Sequence, residues 1–180
     1  MNYFKFFNLP VAFQVDEAAL KRAFLFNSKK FHPDFHTLAD DAQQAEMLEL
    51  STLNNEAYKT LADPDRRMRH VLELKNLLAD EGENKLPQDF LMDMMDINEA
   101  IMELEFEPDP ERLAQVKNEV QQLENQLFES VRPTLENWRD GAGDDAGLRA
   151  VRDFFFKKRY LLRVLENLSK FAPGFDGSEF

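Results

Sequence analysis

Leu20-Lys21-Arg22-Ala23-Phe24-Leu25-Phe26-Asn27-Ser28-Lys29-Lys30-Phe31-His32-Pro33-Asp34 is a helix written together with its stop signal. Leu20, Phe24, Asn27 and Phe31 recur at the 3.6-residue period and make one stripe, with Asn27 its single polar member. Asp16 stands where an N-cap carboxylate accepts from the free N–H groups of a first turn. Pro33 ends the helix, because the residue before a proline is pushed out of the α region. At about 100° per residue, Arg22, Phe26 and Lys29 fall opposite the stripe, flanked by Lys21 and Lys30. Such a face is a candidate docking surface for an acidic partner, with a solvated charged face as the plain alternative.

Working outward, a second helix is expected from about 42 to 62, with Met47, Leu50, Leu53, Ala57, Tyr58 and Leu61 inward. Asp63-Pro64 breaks the chain and starts a third helix through Met68, Val71, Leu72 and Leu74. Residues 80–87, Asp-Glu-Gly-Glu-Asn-Lys-Leu-Pro, read as a linker. Three longer helices follow, over about 88–105, 110–139 and 145–171. The middle one carries the cleanest stripe (Leu113, Val116, Val120, Leu123, Leu127, Val131, Leu135, Trp138), and Pro133 is expected to kink or shorten it. The last takes its core direction from Leu148, Val151, Phe155 and Leu162, with Phe156 and Tyr160 pointing away. The expected fold is all-α, with domains at 1–79 and 88–180 joined by 80–87.

Charge divides unevenly between the halves. Residues 1–79 hold 10 basic and 11 acidic side chains, a net −1, and residues 80–180 hold 12 and 23, a net −11; together they make the −12 of the chain. That acidity argues against nucleic acid or an anionic membrane as partner. The longest apolar run, Ala23 to Phe26, is far short of the ~20 residues that span a bilayer. No basic leader followed by an apolar stretch opens the sequence, so the expected compartment is the cytoplasm. With 0 Cys, thiol catalysis, disulfides and thiolate-bound metals are excluded.

His32-Pro33-Asp34 allows three chemical readings. As a catalytic His/Asp pair it lacks a nearby nucleophile, and the proline between them sets a turn rather than a dyad. As a metal site, His32 and His36 have i, i+4 spacing, but Pro33 breaks the helix that would align them. An ordinary turn is the third. The order of Tyr3-Phe4-Lys5-Phe6-Phe7-Asn8-Leu9-Pro10, the basic helix, this tripeptide and Leu53-Asn54-Asn55-Glu56-Ala57-Tyr58-Lys59-Thr60-Leu61-Ala62-Asp63-Pro64 resembles a J-domain, the module that activates DnaK-class chaperones. The resemblance implies that Arg22, Lys29 and Lys30 dock on the chaperone while His32, Pro33 and Asp34 trigger its ATPase. Phe35, where many J-domains have a basic residue, and Asn27, usually apolar, depart from the pattern.

In the helix after the linker, Phe90, Met94, Ile97, Ile101 and Leu104 share one direction and form the core face. Met92, Asp96, Glu99 and Glu103 lie opposite, with Leu91 and Met95 on the shoulder. The methionines either cover a neighbouring element or make a protein-binding patch; the aligned carboxylates do not converge as a metal site would. The opening Tyr-Phe-x-x-Phe-x-Leu-Pro, the Arg66-Arg67 to Leu72-Glu73-Leu74 stretch, Asp89-Phe90-Leu91-Met92-Asp93-Met94-Met95-Asp96 and Arg159-Tyr160-Leu161 resemble the HscB family of iron–sulfur co-chaperones over essentially the whole chain. That resemblance implies an N-terminal J-domain, a helical hairpin with short flanking helices, and a C-terminal antiparallel three-helix bundle. It also implies an HscA-like chaperone and an IscU-like cluster scaffold as partners, no cofactor and no catalysis by the chain itself. By position the scaffold-binding residues are Leu91, Met92, Met95, Asp96, Glu99, Glu103 and Tyr160. A J-protein of another pathway with a different client is the alternative, and a small hydrolase built on His32 and Asp34 is a more distant one.

Overall fold

The computed structural model describes residues 1–36, 39–78, 86–142 and 145–171. Among the described residues, seven α-helices and one 3-10 turn make up the regular structure, and the β-pairing is an isolated antiparallel bridge between Ala12 and Arg139. The chain forms two compact units, one of residues 1–77 with 135–144 and one of 78–134 with 145–180. Of the expected linker, residues 80–85 lie outside the described residues. Leu86, assigned to it by sequence, instead packs against the core of the second unit.

In the first unit, α1 (Tyr3–Phe6) is followed by α2 (Glu17–Lys30), the 3-10 turn Pro33–Phe35, α3 (Asp41–Ala62) and α4 (Pro64–Leu74). Each long helix starts on an aspartate. Asp16, Asp40 and Asp63 accept from the N–H groups of Ala19, Gln43 and Arg66 at 2.9, 2.8 and 2.8 Å, which satisfies donors that the first turn leaves free. α2 and α3 pack as a hairpin through Phe24 stacked on Tyr58, with ring centroids 4.2 Å apart. Asn54, buried on α3, donates to the carbonyl of Phe24 and to Ser28 Oγ on α2. Leu20, Phe31, Ala57, Leu61, Met68, Val71 and Leu72 are buried around this hairpin, as is Phe4 of α1. Fully burying side chains of this size is worth roughly 1.5–3 kcal/mol each, which is what holds so short a helix as α1 in place. Asn27 is half-buried, as befits a polar member of the stripe.

Two buried polar residues of α4 were absent from the sequence-derived core. Arg67 donates from Nε to the carbonyl of Phe13 at 2.7 Å and from Nη1 to the carbonyl of Leu61. His70 accepts the backbone N–H of Tyr3 at 3.2 Å and stacks on the Tyr3 ring. Residues 135–142 complete the unit: Trp138 packs on Phe13 at 5.3 Å, the Asp140 N–H donates to the carbonyl of Val11, and Lys75 pairs with Asp140. A linear division at the linker does not include this return.

The second unit is built from α5 (Gln88–Phe106), most of α6 (Pro110–Asn137) and α7 (Asp145–Ser169). Its core joins Phe90, Met94, Ile97, Ala100 and Leu104 to Leu113, Val116 and Val120 and to Leu161, Val164 and Leu168. Pro133 does not end α6, which runs on to Asn137. In α7 the expected core residue Leu162 is 41% exposed and Leu161 is fully buried instead. The buried face turns by about 120° along this helix, from Leu148, Val151, Phe154 and Phe155 to Leu161, Val164 and Leu168. The first half meets Phe128 of α6 and the second half the three-helix core, so a stripe extrapolated from one half misplaces the other.

Candidate functional site

The His32-Pro33-Asp34 turn is held by its own side chains. His32 caps the 3-10 turn, its Nδ1 accepting the Asp34 N–H at 3.2 Å, and Pro33 occupies the first position, where a missing N–H costs nothing. His36 closes the other end, with Nε2 2.8 Å from the carbonyl of Lys30. The Asp34 side chain, 85% exposed, stands 3.7 Å from His32 Nδ1 and is otherwise presented to solvent. A carboxylate on a turn whose backbone is already satisfied can meet a partner's cation without reorganising first.

Arg22, Lys29 and Lys30 are exposed along α2, and Lys29 and Lys30 sit in its last turn. Two aromatics share this neighbourhood: Phe26 on the basic face, 70% exposed, and Phe35, 66% exposed, against the edge of the His32 ring at 5.9 Å. His32 Nδ1 is engaged by the backbone N–H of Asp34. Among the described residues no group of three or more His, Cys, Asp or Glu could hold a metal. No helix there is long and apolar enough to cross a membrane.

The second candidate surface lies on α5. Leu91, Met92 and Met95 are 43, 63 and 65% exposed, while Met94 between them is fully buried. Asp96, Glu99 and Glu103 are exposed beside them. Tyr160 differs from expectation: rather than pointing away from the core it is half-buried against it, edge-on to Phe90 at 5.7 Å. Its hydroxyl accepts from Asn98 Nδ2 at 3.0 Å, and the Arg163 guanidinium lies over its ring. Asn98, which the sequence pattern did not single out, thus ties Tyr160 to the outer surface of α5. Met102 and Phe106 on the same helix are also exposed, at 60 and 88%, and the sequence pattern did not single them out.

A helical hairpin with a basic helix and an exposed His-Pro-Asp turn, in one chain with a helical bundle, defines the architecture of a J-domain joined to a helical bundle. Residues 86–169 match the family described as the HSCB C-terminal oligomerisation domain. Curated relatives named co-chaperone protein HscB homolog include those of Paraburkholderia phymatum, 31% identical over 91% of both chains, and Shewanella amazonensis, 28% identical over 94% of this chain and 96% of the relative. Among solved structures, the chaperone HscB from Vibrio cholerae superposes with a TM-score of 0.64 at 24% identity, covering 94% of this chain and 96% of that one. Human co-chaperone HscB gives 0.69 at 23% identity, covering 94% and 81%. The chain belongs to the HscB co-chaperone family.

Proposed function

We propose that the protein is a bridging co-chaperone of iron–sulfur cluster assembly. Its J-domain stimulates the ATPase of an HscA-like, DnaK-class chaperone through Arg22, Lys29, Lys30, His32, Pro33 and Asp34. Its bundle holds an IscU-type scaffold through Leu91, Met92, Met95, Asp96, Glu99 and Glu103. Tyr160 supports that surface through Asn98. The protein acts in the cytoplasm, needs no cofactor and catalyses no reaction alone.

One observation carries this reading: two exposed surfaces of opposite character occur in one chain, a basic one tipped by a carboxylate and an apolar one edged by acids. A J-domain of this kind works by binding one conformation of the chaperone better than another. Tethering the client to the same chain raises its local concentration at the activated chaperone, so two weak contacts act as one stronger one.

The test is a steady-state ATPase assay with a purified HscA-type chaperone. The intact chain should stimulate turnover, and scaffold should raise it further. Asp34→Asn should abolish stimulation with the circular dichroism spectrum unchanged, and Met92→Ala with Met95→Ala should weaken scaffold binding. Exposed charges are screened over about 8–10 Å at physiological salt, so salt should weaken the J-domain contact more than the client contact. Stimulation that survives Asp34→Asn would contradict the proposed trigger.

A further inference from the structure

The outward face of α5 carries a second heptad pattern, of which the binding surface proposed above uses only part. Met92, Met95, Glu99, Met102 and Phe106 follow one another at intervals of 3, 4, 3 and 4 residues. The core stripe Phe90, Met94, Ile97, Ile101 and Leu104 runs along the opposite side of the same helix. All four apolar members of the outward seam are 60% exposed or more, and Phe106 reaches 88%. A helix apolar on two opposite sides is built to lie between two layers. The bundle covers one of them.

The relief of this face says what kind of layer fits. Between Met95 and Phe106 the exposed side chains of α5 leave a shallow, open depression, with Met95, Asn98, Glu99, Met102 and Phe106 among its lining. Met95, Asn98, Glu99 and Met102 stand at i, i+3, i+4 and i+7, and Glu99, Met102, Glu103 and Phe106 repeat the figure one turn on. Four residues in that arrangement are the hole into which a facing helix inserts a knob, and here two holes share an edge. A strand, with side chains alternating between its two faces, does not place knobs at that interval. From Met92 to Phe106 the seam is about 21 Å long, or four helical turns. Asp96, Glu99 and Glu103 line or edge it, so the complementary helix is cationic at its margins.

We infer that α5 receives an amphipathic helix of the client protein, apolar along a 3-4 seam and flanked by Lys or Arg, and that Met102 and Phe106 are client-binding residues. This rests on the reading that the bundle binds the client. It adds Met102 and Phe106 to that surface, carrying it just under one turn past Glu103, and specifies the secondary structure of what is bound.

The test uses the full chain and a purified IscU-type scaffold in titration calorimetry. Phe106→Ser and Met102→Ser should each raise the dissociation constant about tenfold, the usual consequence of removing a buried apolar anchor. A photoreactive side chain replacing Met102 should link to scaffold positions three and four residues apart within one helix. Binding within twofold of wild type for both serine variants, while Met92→Ala weakens it, overturns the inference and leaves the proposed function standing. Links confined to a strand or an extended loop overturn it as well. A chain that sediments alone as a dimer, and as a monomer with Phe106→Ser, assigns the seam to a second copy and also overturns it. Complete absence of scaffold binding removes the functional reading and this inference together.

Discussion

Arg67 is the buried charge on which the first unit depends. It is 4% exposed, and its two described hydrogen bonds go to carbonyls rather than to a carboxylate. Burial pulls its pKa below the usual arginine value, with Glu17 and Asp63 acting in the opposite direction. Two effects compete when it is replaced by methionine, which has similar length and no charge. Relieving the buried guanidinium of its desolvation cost is favourable, and that is why apolar replacements of buried ionic groups are sometimes neutral. Against this, the carbonyls of Phe13 and Leu61 lose their donor, at about 1–3 kcal/mol for each buried polar group left unpaired. Leu61 lies in the last turn of α3, where a carbonyl has no partner within the helix and a cation is favoured by the helix dipole. The carbonyl term wins, and Arg67→Met should destabilise the unit by about 2–4 kcal/mol. With a urea slope of about 1–3 kcal/mol/M, the midpoint should fall by about 1 M or more. Trp138 is the chain's only tryptophan, and it packs on Phe13, whose carbonyl Arg67 holds, so its fluorescence reports this unit in particular. A midpoint for Arg67→Met equal to or above that of wild type would refute the reasoning, because it would mean that desolvation of the guanidinium outweighs both hydrogen bonds.

Three further outcomes are expected. Asn54→Ala removes donors to the Phe24 carbonyl at 3.1 Å and to Ser28 Oγ at 3.0 Å, and should cost about 1–2 kcal/mol in the same urea experiment. His70 is held below its ordinary pKa of 6.5, chiefly by burial, while its Nε2 accepts the Tyr3 N–H. The unfolded chain therefore binds the proton more readily, so stability should be full above about pH 6.5 and decline as pH falls through the lower folded value; a His70→Gln variant should show a flatter profile between pH 7 and 5.5. Lys75→Met should lower the unfolding free energy by less than about 1 kcal/mol despite its pairing with Asp140, because that pair is partly solvated; a larger loss would mean that the lysine's packing over Trp138 matters more than its charge.

The helices, the Asp16 cap and the His-Pro-Asp turn were legible because each rests on neighbours within four residues. A cap needs its own first turn, a proline acts on the residue before it, and an amphipathic stripe follows from the 3.6-residue repeat. For the same reason Leu91, Met92 and Met95 separated cleanly from Met94: they sit on opposite sides of one regular helix. The resemblance to the HscB family rested on such local stretches and holds across the chain.

What failed or was missing depends on partners distant in sequence. Arg67 and His70 look like surface cations until Phe13, Leu61 and Tyr3 are brought to them. Leu161 and Leu162 are chemically equal, and only the neighbour that α7 meets in its second half selects the first for the core. Tyr160 turns inward because Phe90 and Asn98, more than sixty residues earlier, offer a ring face and a donor. Sequence by itself determined the elements and the apolar stripe of a regular helix such as α5, since those follow from backbone geometry and short-range sterics. Tertiary structure alone decided which apolar face is covered and which is left open, because coverage depends on what packs against it.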